Sequence, residues 1–262
     1  MATGAEVLAG AEISTRGQSN RRSFPAYHRH DRNFFLAMTA ISWLAVLSGF
    51  GPELFDHARG ASPFPGAIVL IHGAAFFLWL ILFTAQVLLI RARKLKLHRT
   101  LGLAAVVLIP VMVVLGFEAN VMAQRAHFLA GQSQLNFMIV PIIDMILFGG
   151  FGAAAVLMHK RPAAHKRLML LALISLLDAG FGRSLGPWLL DRAGDGFVGF
   201  WMQLFLGPDL MIVAAMAYDA ATRRRIHPVY LIGLPTFLTA QLASSAIYHA
   251  PGWIPIARYL IS

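Results

Sequence analysis

The sequence contains no cysteine and few charged side chains. The absence of cysteine excludes disulfide bonds, thiolate metal sites and cysteine nucleophiles. Charged residues make up only 13% of the chain, whereas hydrophobic residues make up 58%, and the mean hydropathy is +0.66. This balance lies far outside the range of soluble globular proteins and predicts an integral membrane protein.

The motifs of several enzyme classes are also absent. The sequence has no HExxH, no GxSxG and no Walker-type phosphate loop, so zinc proteases, serine hydrolases and P-loop enzymes would lack their usual parts. A seven-span zinc hydrolase would need a paired HxxxH on its last span, where only His249 is present. We therefore predict no metal site, and the sequence assigns no catalytic residue.

Seven apolar runs are long enough to cross about 30 Å of hydrocarbon. These runs predict an all-α, polytopic membrane helix bundle at residues 34–250, preceded by a disordered basic arm at 1–33 and followed by a short tail at 251–262. The predicted spans are Phe34–Phe50, Ala67–Ile90, Leu101–Ala119, Leu135–Met158, Leu168–Leu190, Phe197–Ala217 and Val229–Ile247.

The distribution of basic residues predicts the orientation. Of the 22 Lys and Arg residues, 17 fall on one side of the predicted spans and 5 on the other. Positive residues near the ends of spans resist translocation, so this asymmetry predicts an N-in, C-out protein of a bacterial inner membrane. The net charge of +10 is then explained by anionic lipid head groups on the cytoplasmic side, and no nucleic-acid partner is expected.

Three carboxylates interrupt the apolar runs at similar depth. At a rise of about 1.5 Å per residue, Asp144, Asp178 and Asp209 all lie within about two helical turns of the predicted midplane. Each acid costs about 2.5–3.5 kcal/mol at mid-span even on the lenient insertion scale, so each must face protein or water. The three acids predict a polar intramembrane cavity, although purely structural interhelical hydrogen bonds would also account for them.

We expect three other polar residues to line or approach the same cavity. Arg183 follows Asp178 by five residues and could pair with it, and the predicted approach from the extracytoplasmic side passes His72 and Glu118. Pro141 and Pro208 each release a backbone carbonyl beside an acid, which could accept a carboxylic proton.

A pair of histidines provides an alternative. His98 and His165 open the third and fifth predicted spans at matching depth. Two histidines on facing helices at one depth are what axial ligation of a b-type haem requires. Because both lie among Lys and Arg at the head-group level, ordinary interfacial roles explain them as well.

Two segments carry a resemblance to known sequences. "IHGAAFFLWLILFTAQVLLIRARKLKLHRTLG" and "AAHKRLMLLALISLLDAGFGR" resemble uncharacterised bacterial predicted multi-pass membrane proteins, which implies no established activity. The order of His, Trp, Arg, His and Gly is more weakly similar to the transmembrane ascorbate-reducible b-type cytochromes, which implies haem bound by histidine pairs. The fourth span has no histidine in its outer half to face His72, unlike that pattern.

Three functions therefore remain open. The leading hypothesis is proton-linked binding or transport of a small solute, with the midplane acids exchanging protons. The second is a haem-binding membrane redox protein that uses His98 and His165. The third is a non-catalytic assembly or scaffold subunit of the membrane.

Overall fold

A computed structural model describes residues 24–62 and 64–262 of the chain. Most of the predicted N-terminal arm, residues 1–23, lies outside the described residues. The described part of that arm includes the start of the first helix, which begins at Asp31 and not at Phe34 as predicted.

The described residues form α-helices and one short 3₁₀ helix, Leu135–Met138, and contain no β-strand. The α-helices are α1 (Asp31–Ala58), α2 (Ala67–Arg91), α3 (Leu95–Leu129), α4 (Ile139–Leu157), α5 (Pro162–Ile174), α6 (Asp178–Ser184), α7 (Gly186–Ala193), α8 (Phe197–Arg223), α9 (Pro228–Tyr248) and α10 (Trp253–Leu260).

Six helical segments are long and apolar enough to cross a membrane. They contain 21 to 35 residues and correspond to α1, α2, α3, α4 with its preceding 3₁₀ turn, α8 and α9. These segments match six of the seven predicted spans, and the chain is a multi-pass helical membrane protein.

The fifth predicted span, Leu168–Leu190, is divided into α5, α6 and α7. The first break falls between Ile174 and Asp178, and α6 therefore begins with an acidic residue. An acidic side chain is favoured in the first turn of a helix, so Asp178 supports the start of a new helix at this position. The segment that follows, "DAGFGRSLGP", is rich in glycine, which further weakens a continuous helix.

Polar contacts identify which helix ends lie together. Arg91 at the end of α2 donates to Asn33 near the start of α1 at 2.7 Å. At the other end of the bundle, Asn136 donates to the Tyr248 carbonyl, and the Trp253 indole donates to the Leu135 carbonyl. The contact between Trp253 and Leu135 fastens the short C-terminal helix α10 to the 3₁₀ turn that precedes α4.

The first part of the divided segment, α5, lies at the centre of the bundle. The side chains from Leu170 to Ile174 in α5 are 0–2% exposed, as are Phe148 of α4 and Ile212 of α8. Beyond the break, α6 packs closely on α1, because a Cβ at Gly49 would lie only 2.4 Å from the Gly180 carbonyl oxygen. This backbone contact holds Asp178, at the start of α6, in position.

Candidate functional site

Two of the three predicted midplane acids meet in the structure. Asp144 of α4 and Asp178 of α6 have their carboxyl groups within hydrogen-bonding distance of each other. Asp178 is only 4% exposed. We call these two residues the acid pair. The helix break at Asp178 is therefore what brings a carboxyl group from the fifth predicted span against the fourth.

The acid pair lines a small cavity. Its polar lining consists of Asp144, Ser175, Asp178 and Gln241, and the remainder is formed by apolar side chains of α4, α5, α8 and α9. The cavity volume is about 10 Å³, which is near the lower limit for a single water molecule. In this conformation the site accommodates a proton or one water-sized particle.

Asp209 of α8 is linked to the cavity through Gln241 of α9. The Gln241 Nε2 donates to Asp209 Oδ1 at 2.8 Å, while its Oε1 accepts from the Trp201 indole at 3.2 Å. Asp209 is 6% exposed, and its Oδ2 has no hydrogen-bond partner among the described residues. The hydrogen bond to Oδ1 thus orients the Asp209 carboxyl group, and Oδ2 is available to bind a proton or another ligand.

The other predicted cavity residues lie elsewhere. Arg183 is solvent-exposed, pairs with Glu53 at 3.7 Å and lies over the Phe50 ring. Five residues correspond to about 140° around a helix, so Arg183 and Asp178 point in different directions from α6. Neither Arg183 nor the remaining two predicted residues line the cavity.

His72 and Glu118 lie away from the acids on α2 and α3. His72 packs against the Phe76 ring with centroids 4.1 Å apart, and its Nδ1 is buried without a hydrogen-bond partner among the described residues. Glu118 is exposed on the surface of α3. Neither residue lines the cavity, although both were predicted to lie along its entrance.

A second group of buried charges lies near the helix ends that carry most of the basic residues. Arg167 of α5 and Asp219 of α8 are each 1% exposed and form a two-pronged ion pair. Arg167 Nε donates to Asp219 Oδ2 at 2.8 Å, and its Nη2 donates to Asp219 Oδ1. Arginine and carboxylate match best in this geometry.

Asp31, the first residue of α1, extends this group. Arg223 of α8 donates to both Asp31 oxygens at 2.7 and 2.8 Å. Lys166 and the Tyr218 hydroxyl also donate to Asp31, at 2.7 and 2.8 Å. We call Asp31, Lys166, Arg167, Asp219 and Arg223 the Arg167 cluster.

The described end of the N-terminal arm packs on the Arg167 cluster. The Phe24 ring lies 4.7 Å from the Arg167 guanidinium carbon, measured to the ring centroid, and the Lys166 ammonium donates to the Ala26 carbonyl at 2.6 Å. His227, which links α8 to α9, is within 4.6 Å of the same ring. Burial, together with the nearby Arg167 charge, lowers the pKa of His227 to about 4.

The sequence interpretation missed the Arg167 cluster. It assigned Lys166, Arg167 and Arg223 to lipid head groups because they lie in basic loops. Two acidic residues in the sequence could have predicted this cluster. Asp31 and Asp219 lie at span ends where most of the charged residues are basic. Neighbouring Lys and Arg side chains can form ion pairs with acids at these positions, and buried charges are expected to be paired.

The predicted haem histidines lie near each other. His98 of α3 and His165 of α5 are close enough to interact electrostatically. His165 Nδ1 lies 2.8 Å from the Ala155 carbonyl oxygen. His98 Nδ1 is buried without a hydrogen-bond partner among the described residues.

Comparison with known proteins adds no family to this description. No protein-family model matches the chain, and no curated protein or solved structure matches it. The function must therefore be inferred from the two buried polar regions themselves.

Proposed function

We propose that this protein is a proton-linked membrane protein that binds or transports a small solute, with the acid pair Asp144 and Asp178 as its proton-exchanging site. The observation that carries this proposal is the meeting of two carboxyl groups beside a small cavity at a break in a central helix. In this proposal α5, α6 and α7 together form a seventh crossing. The N-terminus is cytoplasmic, and the membrane is a bacterial inner membrane.

Hydrogen-bond chemistry supports proton exchange at the acid pair. An ionised carboxylate has only acceptor atoms, so two carboxyl groups can bond to each other only when a proton lies between them. Interacting acids of this kind release their protons as a pair, in separate steps. Loss or gain of that proton changes the charge at the centre of the bundle without any other ligand.

The broken helix supports a transport role. Discontinuous helices near the bilayer midplane form the substrate and coupling-ion sites of many secondary transporters. Here the break at residues 175–177 lies directly beside the acid pair. Because the cavity holds about one water-sized particle, the structure corresponds to a closed state, and solute binding requires α5 or α6 to move.

One side of the cavity is sealed by apolar packing. The α5 side chains between Arg167 and Ser175 include Leu170, Leu171 and Leu173, which are 0–2% exposed. They lie between Arg167 and Ser175 of the cavity lining, which are eight residues or about 12 Å apart. This proposal therefore places the closed gate on the cytoplasmic side.

Infrared spectroscopy tests the shared proton directly. Protein reconstituted in lipid should show the carbonyl band of a protonated carboxylic acid, and Asp144→Asn and Asp178→Asn should each alter that band. Glu118→Gln is the matched control, because Glu118 is exposed and does not line the cavity. An unchanged band in both cavity variants would refute the proposed site.

Transport is tested with proteoliposomes that contain a trapped pH-sensitive dye. A panel of amino acids, sugars and organic acids is added outside, and solute-driven proton movement should occur with the wild type and the Glu118→Gln control but not with Asp144→Asn. A scaffold subunit would show no such movement and would tolerate Asp144→Asn in the cell.

Haem-linked redox chemistry is a second candidate, supported by the approach of His98 and His165. A backbone carbonyl that accepts from one ring nitrogen leaves the other nitrogen free for a metal, a common arrangement for histidine ligands. In this candidate His98 and His165 would hold a b-type haem, which supplies one-electron transfer when bound. Purified protein with a Soret band that is lost in His98→Ala and His165→Ala would favour it, and colourless protein would reject it.

A further inference from the structure

Two serine hydroxyls of α9 differ from other hydroxyls in the bundle. Serine and threonine side chains inside helices usually donate to the backbone carbonyl three or four residues earlier. The hydroxyls of Ser42, Thr84, Ser184 and Thr236 do so. Those of Ser244 and Ser245 have no hydrogen-bond partner among the described residues, although both side chains are 0% exposed.

These hydroxyls lie one helical turn beyond Gln241, the residue of α9 that donates to Asp209. Ser244 and Ser245 follow Gln241 by three and four residues, so all three residues share one face of α9. The hydrogen bond from Gln241 fixes the Asp209 carboxylate against that face and leaves Oδ2 without a partner. Within the described part of the chain, Asp209 of α8 and Ser244 and Ser245 of α9 thus each have a buried oxygen atom without a hydrogen-bond partner.

The charge at this position is also uncompensated. Among the described residues, Asp209 forms no ion pair with a Lys, Arg or His side chain. Pro208 has no backbone N–H, which releases the Leu204 carbonyl from the helical ladder one turn away. A carboxylate, two hydroxyls and a released carbonyl are all hard oxygen ligands, which suit small hard cations.

We propose that Asp209, Ser244 and Ser245 form a binding site for one monovalent alkali cation, with Na⁺ as the ion to test. A proton on Asp209 could satisfy only one of these oxygens, whereas a cation draws on the lone pairs of all of them. The site rests on the proposed function, in which it would hold the coupling ion beside the proton-exchanging acid pair. Gln241 connects the two sites, because it contacts Asp209 and lines the cavity of the acid pair.

The test is Na⁺-dependent thermal stability of the purified full-length protein in detergent. NaCl should raise the melting temperature over equimolar choline chloride, and the rise should saturate with Na⁺ concentration. Asp209→Asn should abolish the rise. Ser244→Ala and Ser245→Ala should each raise the apparent dissociation constant for Na⁺ by about tenfold, the usual effect of losing one ligand contact.

Thr236→Ala is the matched control on the same helix. Its hydroxyl is exposed and already donates to the Ile232 carbonyl, so its removal should leave the Na⁺ effect unchanged. A wild type that responds equally to NaCl and choline chloride overturns the cation site. The same conclusion follows if both serine variants keep the wild-type response, which covers the case in which Asp209→Asn fails to fold.

The experiment separates this inference from the proposed function. Asp144→Asn should keep the Na⁺-dependent rise in melting temperature while it loses the carboxylic acid band and solute-driven proton movement. Na⁺ binding without any change in the infrared band on Asp144→Asn would refute only the proton-exchanging site. A change in that band without Na⁺ binding would refute only the cation site.

Discussion

The two buried polar regions differ in how completely their charges are paired. In the Arg167 cluster, Asp31 accepts from Arg223, Lys166 and Tyr218, and Asp219 accepts from Arg167 and Arg223. Between α4, α6 and α8, the two carboxyl groups of the acid pair are each other's partners, and the one side-chain donor to Asp209 among the described residues is the Gln241 amide. Both regions contain buried aspartates, but only one surrounds them with bases.

This difference indicates different roles. A buried carboxylate between arginines is held in one charge state and one position, which joins α1, α5 and α8 rigidly and fastens residues 24–28 to them. A buried carboxyl group without a base can change its charge by exchanging a proton or by binding a cation. We therefore interpret the Arg167 cluster as structural and the midplane acids as functional.

The largest expected effect is the loss of Asp219. Asp219→Ala would leave Arg167 charged, buried and without its carboxylate, and we expect the free energy of unfolding to fall by about 3–5 kcal/mol. Thermal or denaturant unfolding in detergent measures this loss. Asp56→Ala is the control, because Asp56 pairs with Arg59 on the surface and exposed pairs contribute about 0–1 kcal/mol.

An equal small effect for Asp219→Ala and Asp56→Ala would contradict the structural role of the Arg167 cluster.

The next effect is a loss of stability in mild acid. The pKa of His227 falls from 6.5 to about 4 on folding, so between these values the unfolded chain binds the proton and the folded chain does not. Stability should therefore decrease as the pH falls from about 6.5 towards 4. Protonation would also remove the Nδ1 acceptor that caps α9 through the Val229 N–H at 3.1 Å.

His227→Asn should reduce this pH dependence, because asparagine retains a capping acceptor but does not titrate in that range. Melting temperatures of the two proteins across that pH range provide the measurement. Parallel curves for wild type and variant would show that His227 is not the group responsible.

The smallest effect on stability is expected at the acid pair. Asp144→Asn keeps the size of the side chain and supplies an amide donor to Asp178, so the free energy of unfolding should change by about 1 kcal/mol or less. The activity should nevertheless be lost, because the amide cannot exchange a proton. Unfolding of this variant beside Asp219→Ala compares the two regions directly, and a cost as large as that of Asp219→Ala would contradict the functional role of the acid pair.

Part of the candidate site was predictable from the sequence because depth along a span depends on residue count. The apolar runs located six spans, and Asp144 and Asp178 were placed at one level by their distance from the span ends. Arg183, His72 and Glu118 were also predicted at the cavity, but they do not line it. The direction in which a side chain points depends on how each helix is rotated in the bundle. Residue counts contain no information on that rotation.

The sequence by itself determined that the chain is a helical membrane protein with acids at its centre, because the cost of exposing backbone and charge to hydrocarbon is a local property of each segment. The tertiary structure alone decided which acid meets which partner. The break before Asp178, its contact with Asp144 and the burial of Arg167 against Asp219 all depend on packing between helices distant in sequence. Packing also decided that one group of aspartates is neutralised by bases and that the other is not.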